Sequence, residues 1–80
     1  MLEDLRTGNK HVGVKQTLKA VENDRAKVVY LARDAEERVI AKLRDLCIQK
    51  SVEIIYVDTM AKLGKACGVE VGSAAACLLK

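Results

Sequence analysis

The chain has 80 residues, half of them apolar, which is enough for one small domain with one hydrophobic core (residues 1–80) and too few for a second domain. Fourteen Lys and Arg against eleven Asp and Glu give a net charge of +3, which permits a polyanionic partner without requiring one. The opening stretch MLEDLRTGNK has acidic residues and no apolar segment typical of a signal peptide, and no apolar run of the chain could span a bilayer. We therefore expect no membrane association.

The first predicted elements are a short strand at Lys10–Val12 and an amphipathic helix that follows Gly13 and stops at Asn23-Asp24. One stripe of that helix is apolar and consists of Val14, Leu18 and Val21. The continuous β-branched and aromatic run Lys27 to Ala32 then predicts a strand that is buried on both faces.

A second helix is predicted to start after Asp34 and to run to about Lys50. Asp34 and Glu37 have the spacing of a capping box with Asp in the place of Ser or Thr, and the early acids Glu36 and Glu37 suit the positive end of a helix dipole. The buried stripe of this helix is predicted to consist of Ala35, Val39, Leu43, Leu46 and Cys47.

The remaining elements are a strand over Val52 to Val57, a third helix over Met60 to Cys67, and a last strand over residues 73–79. Asp58 or Thr59 is expected to cap the third helix, and Gly68 to end it in the left-handed conformation. Strands that alternate with helices predict an α/β fold, with helices on both faces of a sheet that is at least partly parallel and has four strands.

Cysteine usage indicates a reducing compartment. Cys47, Cys67 and Cys77 are odd in number, lack a C-x-x-C spacing and lie among apolar residues, so we interpret them as core residues of a cytoplasmic protein. The chain has a single histidine, His11, so no histidine-rich zinc ligand set exists. We expect no metal and no other cofactor.

Residues with the chemistry of catalysis are scarce. His11 has no serine or cysteine signature beside it and is interpreted as a surface or hydrogen-bonded side chain. Gly64-Lys65 matches the end of a phosphate-binding loop, but Ala66 follows where Ser or Thr is needed, and the pair lies within a predicted helix. We therefore expect a protein that is not an enzyme.

Two features suggest binding. After Gly13, the side chains of Lys15, Gln16 and Lys19 project from the first turns of a helix, which is a favourable place for an anion, although a solvated helix face would have the same pattern. The second feature is the loop at residues 68–72, which holds Glu70 between two valines and two glycines. Exposed apolar loop residues usually contact a partner, and a loop folded back on its own core is the alternative.

The stretches GVKQTLKAV and KLGKACGVEVGSAAA resemble the kink-turn RNA-binding family of ribosomal and ribonucleoprotein proteins, usually called L-seven-Ae, and most of all its small stand-alone bacterial members. The resemblance covers nearly the whole chain. It implies a three-layer α/β/α sandwich with a four-stranded mixed sheet. It also implies binding to a kink-turn, which is an RNA helix bent sharply by a short bulge next to tandem sheared G·A pairs.

The resemblance also implies which residues contact RNA. The positions that match the family's motifs are Gly13, Lys15, Gln16, Lys19, Val69, Glu70 and Val71. Gly13 opens the first RNA-contacting helix, and Lys15 and Gln16 stand where archaeal members have Asn and Glu that read the sheared guanines. This departure predicts a shifted base-reading pattern.

The expected partner is therefore kink-turn RNA, either ribosomal RNA or a riboswitch, bound by a monomer that is associated with the ribosome or another ribonucleoprotein. A protein-interaction module that docks a protein on its valine loop is the alternative, and in that case the basic residues form only a solvated face.

Overall fold

The computed structural model describes residues 8–80, so the predicted lack of a signal peptide concerns residues that lie largely outside the described part. The described residues form four strands: β1 (Lys10–Val12), β2 (Ala26–Ala32), β3 (Glu53–Val57) and β4 (Ala75–Leu79). They also form three helices: α1 (Val14–Glu22), α2 (Glu37–Gln49) and α3 (Met60–Ala66). Each element falls where the sequence pattern predicts it, with bounds that differ by no more than three residues.

The strands form one mixed sheet in the order β1-β4-β2-β3. β2 and β3 are parallel, which requires the crossover through α2, whereas β4 runs antiparallel to both of its neighbours, β1 and β2. The last strand of the chain therefore lies inside the sheet, and its residues 75–78 are buried.

The sheet separates two apolar clusters, so the three-layer α/β/α sandwich is confirmed for the described residues. One face of β2 presents Val29 and Leu31 to α1 and α2, where they pack with Val21 and Leu43. The opposite face packs against α3 through a second cluster that contains Tyr30, Ala32, Val57 and Leu63.

The predicted capping box at Asp34 is wrong. α2 begins after Glu36, which makes no side-chain cap; its carboxylate accepts a hydrogen bond from Arg38 Nε at 3.1 Å. The Asp34 carboxylate instead accepts from the backbone N–H of Met60 at 2.8 Å, at the start of α3. Thr59 caps the same helix, with its hydroxyl oxygen accepting from Lys62 N at 3.1 Å. Asp34 thus joins the end of β2 to α3 rather than starting its own helix.

The buried faces of the first two helices are rotated slightly from the predicted stripes. In α1 the fully buried residues are Thr17, Ala20 and Val21, and the larger Val14 and Leu18 are half-buried beside them. In α2 they are Ile40, Leu43 and Cys47, while the predicted stripe members Val39 and Leu46 are half-buried and Ala35 precedes the helix. Small residues at the centre allow α1 to lie close to the sheet.

The three cysteines are free and buried, as predicted. Loss of solvent raises the pKa of the Cys47 thiol to about 11, with a smaller contribution from the neighbouring Cys77. Burial likewise raises the pKa of Cys67 and of Cys77. In residues 8–80, no helix has the length and apolar character needed to cross a membrane.

Candidate nucleic-acid interface

The two sequence motifs meet at one end of the sheet. Because β4 is antiparallel to β1 and β2, its first residues lie beside the last residues of those strands: Val12 pairs with Ala76, and Leu31 pairs with Ala75. β3 is parallel to β2 and ends at the same side. We call this side of the sheet, where β1, β2 and β3 end and β4 begins, the Gly13 end.

Gly13 joins β1 to α1, and its backbone is hydrogen-bonded to the start of β4. Its φ of 105° lies in a region that residues with a Cβ rarely adopt, so glycine permits the sharp turn from strand to helix. The Gly13 N–H donates to the carbonyl oxygen of Ala75 at 2.8 Å, and the Ser73 hydroxyl donates to the same oxygen at 2.7 Å. The first turn of α1 is therefore held next to the chain segment that leaves the valine loop (residues 68–72).

The exposed face of α1 is cationic, with Lys15 and Gln16 at its start and Lys19 in its last turn. Lys15, Gln16 and Lys19 are all exposed, and the first turn contains no acidic residue that would neutralise it. The positive end of the helix dipole adds to the attraction for an anion. Gln16 also contacts β1, since its carboxamide oxygen lies 3.1 Å from Nδ1 of His11. His11 is thus a hydrogen-bonded, half-buried side chain, in agreement with the interpretation from sequence.

The valine loop is held on α3 at both of its ends. Gly68 has a φ of 80° and ends the helix as predicted, and the next N–H, that of Val69, donates to the Gly64 carbonyl at 3.0 Å. On the far side of the loop, the Ser73 N–H donates to the Met60 carbonyl at 3.0 Å. These backbone bonds fix the path of the loop and leave its side chains free to face outward.

The exposure predicted for the valine loop is confirmed. Val71 is 74% exposed, Val69 is 37% exposed, and Glu70 between them is exposed as well. The alternative of a loop folded onto its own core does not hold for Val71, and it holds only in part for Val69. An exposed apolar pair beside a cationic helix start is an arrangement that a partner with both apolar and anionic groups would fit.

Sequence reasoning missed the role of Gly64, which it considered only as a possible phosphate-loop residue. A Cβ added at Gly64 would collide with the carbonyl oxygen of Val71, so the absence of a side chain lets the loop cross α3 closely. Reasoning from sequence also missed Arg33, whose guanidinium lies 5.2 Å from the centroid of the Tyr56 ring. The spacing LGKACG held a signal for Gly64, because a glycine inside a helix indicates close packing, but no local pattern connects Arg33 to Tyr56.

A cleft lies between α1 and α2, away from the Gly13 end. Its volume is about 410 Å³, and its rim has both signs of charge, from Glu22 and Asp45 on one hand and Lys42 on the other. No group of three or more His, Cys, Asp or Glu residues within 8–80 is arranged to hold a metal ion.

Comparison with known proteins identifies the class of protein. Residues 2–80 match the model of the Ribosomal protein L7Ae/L30e/S12e/Gadd45 family, and the chain belongs to this family. An RNA-binding protein of Caldanaerobacter subterraneus is 52% identical over 65 residues, which cover 81% of this chain and 79% of that protein. The large ribosomal subunit protein eL8 of Halobacterium salinarum is 39% identical over 74 residues, which cover 91% of this chain and 62% of that protein.

The fold has a counterpart among solved structures. The Giardia lamblia 15.5kD RNA binding protein superposes with a TM-score of 0.91 and 27% identity, over 99% of this chain and 70% of that one. These relatives have the names of RNA-binding or ribosomal proteins, and the family is not one of enzymes. The resemblance noted in the sequence is therefore confirmed as family membership.

Proposed function

We propose that this protein binds RNA at the Gly13 end and that its target is a kink-turn. The observation on which this rests is the junction at the Ala75 carbonyl, which receives hydrogen bonds from Gly13 at the start of α1 and from Ser73 after the valine loop. A cationic helix start and an exposed apolar loop are thereby held side by side. The names of the relatives support RNA as the ligand.

The helix start supplies the polar half of the proposed interface. Lys15 and Lys19 meet phosphates or purine acceptors, and Gln16 reads the edge of a sheared guanine with its carboxamide. Gly13 lets the backbone approach the RNA without a side chain between them, and the space around its Cα supports this, since no atom lies within 4 Å of the position a Cβ would take.

The valine loop supplies the apolar half. In RNA, sequence and shape are read mainly where bases are unstacked, as in bulges, and such bases expose apolar faces. Val69 and Val71 cover the unstacked bases of the bulge, and Glu70 accepts a hydrogen bond from an exposed base or holds the loop. A plain duplex has no such bases, so this half of the interface gives the selectivity.

A gel shift with matched RNAs tests the proposal. One RNA is a duplex with a kink-turn, and the control is the same duplex with its sheared G·A pairs replaced by Watson–Crick pairs. Tighter binding to the kink-turn is expected, and equal binding to both would refute kink-turn recognition.

The dependence of binding on salt separates RNA from a protein partner. Contacts to phosphates release counterions, so the affinity should fall steeply and linearly on a plot of log K against log salt concentration. A protein docked on the valine loop through apolar contacts would give a weak dependence.

The wider setting is part of the same proposal. We propose that the protein acts as a cytoplasmic monomer on ribosomal RNA or a riboswitch, supported by the similarity to eL8 of Halobacterium salinarum. Sedimentation of the free protein tests the monomer, and co-sedimentation with ribosomal subunits in a sucrose gradient tests the association with the ribosome. A dimer in the first experiment, or absence from all ribosomal fractions in the second, would contradict the corresponding part.

A further inference from the structure

The side chain of Gln16 is held by a residue outside its own helix. Its carboxamide oxygen, Oε1, lies 3.1 Å from Nδ1 of His11 on β1. An amide oxygen only accepts a hydrogen bond, so with the carboxamide in this orientation the contact is made by the tautomer of His11 that has its proton on Nδ1. The tight turn at Gly13 brings the two residues together, although five positions separate them in the chain.

The backbone of His11 is fixed in turn by the sheet. His11 pairs with Cys77, which is fully buried in β4, and the His11 side chain is half-buried. Gln16, in contrast, lies in the first turns of α1 with its side chain exposed. A rigid donor thus holds one end of an otherwise mobile side chain, which reduces the conformational freedom that Gln16 would lose on binding.

The direction of the bond determines what Gln16 presents. The oxygen and the nitrogen of a carboxamide point to different sides of the group, so an oxygen turned back toward β1 leaves the NH₂ group facing away from the sheet. Both N–H donors of the carboxamide then remain for a ligand.

We propose that His11 is a positioning residue, which holds Gln16 so that its amide nitrogen faces the RNA and donates to a guanine acceptor, O6 or N7. This inference rests on the proposed kink-turn function and narrows it, because a free glutamine could equally accept from a guanine N–H. His11 itself does not touch the base.

The RNA affinities of His11 variants, alone and combined with other substitutions, test the positioning role. His11→Leu removes the donor and is expected to weaken kink-turn binding by about threefold to tenfold, the usual effect of one hydrogen bond. His11→Asn keeps an N–H near the same place and should restore most of the loss. In a Gln16→Ala background, His11→Leu should cause no further loss. With Lys15→Ala the two losses should add, because among residues 8–80 the side-chain hydrogen bond of His11 is to Gln16 and not to Lys15. Full additivity with Gln16→Ala, or no loss in His11→Leu, would overturn the proposal.

The chemistry of the contact is tested with altered partners. Kink-turns whose sheared guanines are replaced by 2-aminopurine, which lacks O6, or by 7-deazaguanine, which lacks N7, should bind the parent more weakly in at least one case. The Gln16→Ala variant should bind the altered and the unaltered kink-turn with equal affinity. Analogue effects that are the same with and without Gln16 would overturn the donor assignment.

Nitrogen-15 NMR of the free protein separates this inference from the proposed function. Neutral His11 should have its proton on Nδ1, and the side-chain NH₂ signals of Gln16 should shift in His11→Leu. A proton on Nε2 together with unshifted Gln16 signals would overturn the inference even if the protein binds kink-turns. If the unmodified protein binds the kink-turn and its Watson–Crick control equally, the proposed function itself is refuted, whatever the NMR result.

Discussion

At the scale of single residues, exposure distinguishes the residues of the candidate interface from those of the core. Lys15, Gln16 and Lys19 are exposed on α1, while Thr17 and Ala20 on the other side of the same helix are buried. Substitutions on the exposed side should therefore change binding and leave stability nearly unchanged. This separation makes the proposed contacts testable one side chain at a time.

Lys19→Ala is expected to weaken RNA binding and to lower the slope of log K against log salt by about 0.7 to 0.9, the value for one lost phosphate contact. The free energy of unfolding should change by less than about 0.5 kcal/mol, since the side chain is exposed. Lys27→Ala is a matched control, because Lys27 is exposed near the start of β2, at the opposite end of the sheet. An unchanged salt slope in Lys19→Ala would contradict the assignment of this helix face.

Replacement of both Val69 and Val71 by serine should lower the unfolding free energy by less than about 2 kcal/mol, against roughly 3 to 6 kcal/mol for two fully buried valines. Affinity for a kink-turn should fall roughly tenfold because apolar cover of the unstacked bases is lost, while affinity for plain duplex changes little. Ile48→Ser is the control, since Ile48 is 66% exposed at the far end of α2. Unchanged kink-turn affinity in the double variant would refute the proposed role of the loop.

At the scale of elements, α3 supports the valine loop. The helix is short, with seven residues, and its start is capped by Thr59 and by the Asp34 carboxylate from the end of β2. Its Met60 carbonyl and its Gly64 carbonyl each accept a hydrogen bond from the segment that contains the loop. The position of the loop therefore depends on how closely it can lie on this helix.

Gly64→Ala tests that dependence. Alanine favours a helix by about 1 kcal/mol over glycine, yet the new Cβ would meet the Val71 carbonyl oxygen, so the loop must shift. We expect a net destabilisation of about 1 to 3 kcal/mol and a loss of kink-turn affinity at temperatures where the variant is folded. Ala61→Gly, an exposed change in the same helix, should cost similar stability and leave RNA affinity unchanged. Parent-like affinity and stability in Gly64→Ala would contradict the close contact.

At the scale of the whole molecule, both faces of the sheet are covered and the thiols lie within the resulting core. Cys47 packs in the cluster under α1 and α2, as does Cys77, and Cys67 belongs to the cluster under α3. A thiolate in either cluster would lose its hydration, which is why the pKa of each thiol is raised. The free energy of unfolding is thus expected to fall as the pH becomes alkaline.

The Cys47 pKa of about 11, against an ordinary value of 9.0, sets the direction of this linkage. A raised pKa means that the folded state holds its proton more firmly, so its contribution is complete below pH 9 and is lost as pH rises toward 11. Thermal melts over this range should show a declining melting temperature, and Cys47→Ala should lower stability at neutral pH but flatten the alkaline decline. An equally steep decline in Cys47→Ala would mean that other groups cause it.

The sequence by itself determined the order and kind of the elements. Local periodicity, the glycines at positions 13 and 68 and the β-branched runs act over a few residues, so they could be recognised without a structure. The same holds for the exposed valine loop and for the lysines of α1, because both lie in short continuous motifs.

Only the tertiary structure decided which of these features meet. The insertion of β4 between β1 and β2 brings the valine loop to Gly13, and this pairing depends on the packing of the whole sheet rather than on any local pattern. Asp34 illustrates the same limit: its spacing to Glu37 predicted a local cap, yet its carboxylate bonds to Met60, 26 positions away. Short-range preferences are weak, so a contact made available by folding can replace the local one, and such contacts place the candidate site.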